Sequence, residues 1–121
     1  MEQRIGIIMN GITGRMGLNQ HLIRSVLAIR DMGGLPLVDG SKLMPDPILV
    51  GRNKQKVEEI AKRLSVSRFT TDLSNALENP DDIIFFDSST TQMRVEILKN
   101  AIAAGKHIYC EKPVSVDLKG A

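Results

Sequence analysis

The run Arg4-Ile5-Gly6-Ile7-Ile8-Met9-Asn10-Gly11-Ile12-Thr13-Gly14-Arg15-Met16-Gly17 decides the fold of this 121-residue chain. Its first half is almost wholly apolar, as a strand covered on both faces must be. Its second half places glycines at 11, 14 and 17, and an amphipathic stretch follows to about Arg30, with Leu18, Leu22, Ile23, Val26 and Leu27 on one stripe. A strand, a glycine-rich turn and a helix in that order form a loop that can cradle a pyrophosphate. Each glycine has a mechanical reason: Gly11 for the tight turn, Gly14 for close approach of backbone to phosphate, Gly17 for packing of the helix on the strand. The N–H groups of Gly11-Ile12-Thr13-Gly14-Arg15-Met16 are then expected to face the phosphates, with the helix dipole behind them. The spacing G-x-x-G-x-x-G is one residue longer in its first gap than the commonest fingerprint, so the loop needs its context. The plainer reading is a glycine-rich turn that only starts a helix.

That context continues down the chain. Short apolar runs alternate with helical periodicity, the pattern of an α/β fold with a parallel sheet. Pro47–Gly51 reads as a second strand, and Asn53 is placed to cap a helix carrying Val57, Ile60, Ala61 and Leu64. Arg68–Thr71 reads as a third strand, with a brief helix over about 72–78. Asp82–Asp87 is the fourth strand, and the helix after it points Val95, Leu98, Ala101 and Ile102 inward before stopping at Gly105. His107–Cys110 is the fifth. The expectation is a doubly wound parallel sheet of five strands with right-handed crossovers. Residues 31–47 break the repeat with three glycines and three of the five prolines. They are read as a small hairpin insertion, Leu35–Val38 and Ser41–Met44 around an Asp39-Gly40 turn.

Composition narrows the function. A hydrophobic fraction of 42% with 25% charged residues describes an ordinary globular domain, and the net charge of +2 carries no block of like charges. Only Phe69, Phe85, Phe86 and Tyr109 are aromatic, too few for a base-stacking surface. No nucleic-acid or membrane partner is expected. The single Cys110 excludes an internal disulfide and a cysteine zinc site, and its strand-like neighbours suggest a buried, inert thiol. No metal site is expected. Without a signal peptide or a spanning apolar run, the expected location is cytoplasmic. A helix begun near Ser115 stops after one turn, so the chain is expected to be a fragment.

The nucleotide is decided at the end of the second strand. An Asp or Glu there bonds the ribose 2′-OH of NAD, whereas Arg suits a 2′-phosphate. The segment Gly51-Arg52-Asn53-Lys54 has no carboxylate, and Arg15 could reach the same phosphate, so NADP is preferred with NAD kept as the alternative. Arg52 could equally lie on the adenine or be an exposed loop arginine. The fourth strand ends Asp87-Ser88-Ser89-Thr90-Thr91, placing hydroxyls of Ser88, Ser89 and Thr90 where a pyrophosphate or nicotinamide ribose passes. Capping of the next helix by Thr90 or Thr91 is compatible with that contact. Asp87 is read as a partly buried, hydrogen-bonded carboxylate. The fifth strand ends Glu111-Lys112-Pro113, where the proline biases Lys112 to an extended backbone and fixes its direction. A Lys before Pro on a loop is more often simply solvated.

With these residues in place, the chain resembles the N-terminal domain of the Gfo/Idh/MocA oxidoreductases, the glucose–fructose oxidoreductase and inositol dehydrogenase group. The resemblance covers nearly the whole chain, and it is most specific over Ala103-Ala104-Gly105-Lys106-His107-Ile108-Tyr109-Cys110-Glu111-Lys112-Pro113. It implies a Rossmann domain over 1–121 of a two-domain dehydrogenase that moves a hydride between NAD(P) and a sugar, polyol or related carbonyl. It puts the family's motif lysine at Lys112, with Glu111 and Lys112 beside the nicotinamide ribose and Lys112 on the substrate oxygen. It also implies a substrate domain and general acid/base beyond this chain, and a homo-oligomer of the full-length protein. His21 and His107 are expected to be structural. Many members carry Thr-Pro-Asn and a His after the fourth strand; here Ser89-Thr90-Thr91 and Arg94 correspond, a departure that bears on substrate class. A dihydrodipicolinate reductase-like enzyme shares Gly14-Arg15-Met16-Gly17 and the Asp87-Ser88-Ser89 strand end, but it would follow the fifth strand with Gly-Thr-Thr-Gly. A non-catalytic dinucleotide-binding module is the remaining alternative.

Overall fold

The structure, a computed structural model, describes residues 2–11, 16–89, 91–110 and 118, with the side chains of 16–21 and 91–93 excepted. Strand β1 (Glu2–Asn10) lies at the centre of the sheet, parallel to β3 (Lys42–Val50) on one side and β5 (Asp82–Asp87) on the other. Strand β6 (His107–Cys110) pairs in parallel with β5, and the two-residue β4 (Phe69–Thr70) with β3. A further two-residue strand, β2 (Leu35–Pro36), runs antiparallel to the start of β3. The order is β2-β3-β1-β5-β6, with β4 also on β3, so successive strands step outward from β1 first one way and then the other. The switch of direction falls between β1 and β5, the crevice where open α/β sheets bind ligands.

Both faces of the sheet are covered. On one, Met9, Leu49 and Phe86 pack with Leu22 of a π-wound helix (Met16–Leu27) and with Val57, Ile60 and Ala61 of α2 (Lys54–Arg63). The π-wound helix runs on into the short α1 (Ala28–Asp31). On the other face, Ile8, Val50 and Phe85 pack with Ala76 and Leu77 of α3 (Leu73–Glu78) and with Ile97, Leu98 and Ala101 of α4 (Thr91–Ala103). Adjacent residues Ile8 and Met9, and Phe85 and Phe86, thus serve opposite cores, which is why these strands carry unbroken apolar runs.

Two inward assignments need correction. Ile23 is 37% exposed, because the wider i→i+5 winding turns it away from Leu22, Val26 and Leu27. In α4, Ile97 is buried in place of Ile102, which is exposed.

The segment 31–47 also differs from expectation. Its hairpin exists: Leu37 N–H donates to the Ser41 carbonyl, and Gly40 takes the left-handed φ of +88° that the turn demands. Its return arm is not a separate element, however; it is the first half of β3, unbroken through Pro45 and Pro47. Prolines disfavour a strand only where an N–H is needed. The Leu49 N–H donates towards β4, to the Arg68 carbonyl at 3.0 Å, and alternation sends positions 47 and 45 the same way. On that edge β2 pairs with Lys42 and Leu43, and β4 with Leu49 and Val50. The prolines fill the gap between them, and Arg30 Nη1 donates to the Pro45 carbonyl at 2.8 Å.

The amino ends of the strands are tied by charge. Asp82 is fully buried, accepting from Arg68 at 2.9 and 2.8 Å and from Arg4 at 3.3 Å. Arg4 also donates to Asp46 at 2.6 Å. Gly6 is required beside this cluster, since a Cβ there would sit 2.1 Å from Asp82 Oδ1. Burial works against the Arg68 charge, but bonds to Asp82 and the nearby Asp46 outweigh it and hold the guanidinium above its ordinary pKa.

Candidate functional site

Four parallel strands end in one row. Asn10 is in register with Val50 on one side and Asp87 on the other, and Asp87 with Cys110. The segments leaving this row therefore depart from a single edge: Gly11 from β1, Gly51-Arg52-Asn53 from β3, Ser88-Ser89 from β5, and the chain towards Glu111 from β6.

At the switch point the main chain is stitched tightly. Gly11 N–H donates to the Val50 carbonyl at 3.0 Å, and Ser88 N–H to the Asn10 carbonyl at 3.0 Å. The Ser88 hydroxyl donates to the carbonyls of Asn10 (3.1 Å) and Gly11 (3.3 Å). Gly11 has a φ of +81°, and a Cβ there would lie 2.7 Å from Ser89 N. Both its conformation and its space exclude a side chain.

Asp87 is completely buried rather than partly so. Its Oδ1 accepts from Asn10 Nδ2 at 3.0 Å and from the Ser89 N–H at 3.2 Å, and its Oδ2 accepts from Arg94 Nε at 2.9 Å. Arg94, only 2% exposed, also donates through Nη2 to the Ser89 carbonyl at 2.7 Å. Asn10 is a site residue that sequence reading missed. Its one signal was a polar side chain closing an apolar strand.

Ser89 Oγ is buried and has no hydrogen-bond partner, although a buried hydroxyl costs free energy when unpaired. An orphaned hydroxyl packed beside a left-handed glycine turn at a strand end suits a polar ligand such as a dinucleotide. Among the described residues no cluster of His, Cys, Asp and Glu could hold a metal ion. None of their helices is long and apolar enough to cross a membrane.

The structure thus brings Gly11, Ser88, Ser89, Arg52 and Asn53 to the row's edge. Arg52 is exposed beyond β3, while Asn53 caps α2 by accepting the Lys56 N–H at 3.1 Å. Met16 opens the π-wound helix. Ile12, Thr13, Gly14, Arg15, Thr90, Glu111 and Lys112 lie outside the described residues, as does the His21 side chain. Cys110 is half-buried, and His107 is exposed at the far end of β6.

Comparison with known proteins agrees with this architecture. Residues 36–121 match the Gfo/Idh/MocA model, described as an oxidoreductase family with an NAD-binding Rossmann fold. The chain is 50% identical over 117 residues to a D-xylose dehydrogenase of Paenarthrobacter nicotinovorans, covering 97% of this chain and 30% of that protein. Among solved structures, a levoglucosan dehydrogenase in complex with NADH and levoglucosan superposes with a TM-score of 0.75 at 26% identity, over 93% of this chain and 29% of that one. An oxidoreductase domain protein from Kribbella flavida gives 0.74 at 28% identity, over 98% and 29% respectively. The chain therefore spans less than a third of the length of these relatives. None of them favours the dihydrodipicolinate reductase-like alternative.

Proposed function

This chain belongs to the Gfo/Idh/MocA oxidoreductase family with its NAD-binding Rossmann fold, and from that premise we propose that it is the cofactor half of an NADP-preferring sugar or polyol dehydrogenase. The observation that carries the reading is the shared row of strand ends at Val50, Asn10, Asp87 and Cys110. It lets one extended ligand touch the glycine turn, the Arg52 turn, the serine turn and the end of β6. The nicotinamide, when bound, supplies or accepts the hydride. Gly11 and the loop residues Ile12 to Met16 would hold the pyrophosphate, while Ser88, Ser89 and Thr90 would bond the ribose–phosphate span. By the family likeness, Glu111 and Lys112 would meet the nicotinamide ribose. Lys112 polarises the substrate oxygen, and a base in a second domain beyond this chain takes the proton. By the same family likeness, the full-length protein assembles as a homo-oligomer.

The preference for NADP rests on charge. No carboxylate follows β3 directly, so nothing there repels a 2′-phosphate, and the exposed Arg52 in the turn after β3 supports the same reading. Calorimetric titration of the full-length protein with NADPH and NADH tests this; tighter binding of NADH would overturn the preference. D-xylose is the first sugar to try, given the relative named above. Loss of turnover in Lys112→Ala with binding retained supports the catalytic assignment. Unchanged turnover, or none in either protein, favours a binding module.

A further inference from the structure

We propose that the buried Asp87–Arg94 pair is a positioning device for the dinucleotide, fixing the Ser88–Ser89 turn against Gly11, and that Arg94 makes no contact with substrate. The proposal rests on the dinucleotide reading above and assigns a role within that site.

The geometry of Ser89 carries it. Its N–H is held by Asp87 Oδ1 at 3.2 Å and its carbonyl by Arg94 Nη2 at 2.7 Å, while the two holding side chains are joined at 2.9 Å. Both main-chain polar groups of one residue are thus gripped by the two ends of one ion pair. Its hydroxyl alone is left unpartnered. Asn10 extends the grip to β1 through its 3.0 Å bond to Asp87, and Gly11 follows at once, with room for no Cβ because Ser89 N lies in the way. A shift of the Ser89 peptide would be felt directly by the glycine turn.

Stability does not account for such a pair. Removing two charges from water is costly, and apolar replacements of buried ion pairs are often neutral or stabilising. What the pair gives that apolar side chains could not is a fixed orientation for both polar groups of a turn. An arginine in the first turn of α4, next to this edge, would suggest a ligand-facing group. Here its side chain is 2% exposed and bonded back into the sheet edge.

The test uses the full-length protein, NADPH and NADH as titrants, and D-xylose as test sugar. Arg94→Lys keeps the charge opposite Asp87 but cannot reproduce the fork that reaches both Asp87 Oδ2 and the Ser89 carbonyl. Loss of one charge-assisted bond at the turn should raise the Kd of the preferred dinucleotide about tenfold. At saturating dinucleotide, kcat and the sugar KM should return to wild-type values. Asp87→Asn/Arg94→Gln, which leaves no unpaired buried charge, should weaken dinucleotide binding at least as much. Arg68→Lys at the opposite end of the sheet is the control, lowering the melting temperature with Kd unchanged.

Wild-type protein that binds neither dinucleotide overturns the functional reading and this proposal together. Wild-type protein that binds, with Arg94→Lys binding equally well, overturns the proposal alone. So does a raised sugar KM with unchanged dinucleotide Kd, which would make Arg94 a substrate ligand. A loss of binding in Arg68→Lys equal to that in Arg94→Lys would reduce the effect to general destabilisation and overturn it as well.

Discussion

Asn10 and Asp87 face each other across β1 and β5 in the last row of the sheet, joined by a 3.0 Å bond from Asn10 Nδ2 to Asp87 Oδ1. This bond lies at the point where the strand order reverses. It ties the residue before the glycine turn to the residue before the serine turn, so the two halves of the cofactor edge are held as one piece.

Gly11→Ala forces a Cβ to 2.7 Å from Ser89 N at a φ of +81°. The left-handed backbone alone should cost about 1–2 kcal/mol, with the clash added to it. Gly40→Ala, at a φ of +88° with nothing within 4 Å, should cost the backbone part only. Urea unfolding of the two variants should separate these contributions, and only Gly11→Ala should also impair dinucleotide binding. Equal stability losses would contradict the close packing of Ser89.

Among the described residues, Arg68→Ala leaves the fully buried Asp82 with Arg4 at 3.3 Å as its only charged partner. Breaking a buried pair on one side costs about 3–5 kcal/mol. Arg68 is itself partly exposed, so the lower end of that range is expected. Thermal unfolding should show a large drop, while the Kd for dinucleotide, bound at the other end of the strands, should stay put in whatever fraction remains folded.

Asn53→Ala removes the acceptor that caps α2 and should cost about 1 kcal/mol, whereas Asn53→Asp should restore the cap. Chemical denaturation of the three proteins measures this. Loss of binding affinity in Asn53→Asp despite restored stability would show that the added carboxylate meets a phosphate at this edge.

Asp39 bonds to the Ser41 side chain and backbone, and these bonds hold its carboxyl below its ordinary pKa. The sign follows from the lowered value in the folded state. The bonds contribute fully above the unfolded carboxyl's pKa, and the contribution fades as pH falls through the folded one. An NMR titration of the Asp39 carboxyl should give a depressed midpoint that moves back up in Ser41→Ala. An unchanged midpoint in that variant would sink the assignment of cause.

Features governed by neighbours in the chain were legible in advance. Asn53 caps α2, and Gly105 ends α4 at a φ of +79°, because capping depends on residues three or four positions apart. The double-sided burial of Ile8–Met9 and Phe85–Phe86 showed as unbroken apolar runs. The glycine at 11 declared itself because a φ of +81° is hostile to other residues. The course of β3 did not show. The hairpin arm reads as ending at Met44 and the strand as starting at Pro47, and only the arrangement of β2 and β4 along the neighbouring edge reveals that the missing N–H groups of Pro45 and Pro47 fall where no strand pairs.

The sequence by itself determined an α/β sheet, a dinucleotide edge and the family, since periodicity, caps and short motifs are properties of nearby residues. The tertiary structure alone decided which polar groups meet. Arg68 with Asp82, Arg4 with Asp46, and Asn10 with Asp87 are partners separated by 14, 42 and 77 positions, paired because parallel strands bring distant segments into register. Arg94 and Asp87 are close in sequence, yet their pairing too needed the fold. Only the burial of both at the sheet edge turns an arginine that could have faced a ligand back onto the strand end.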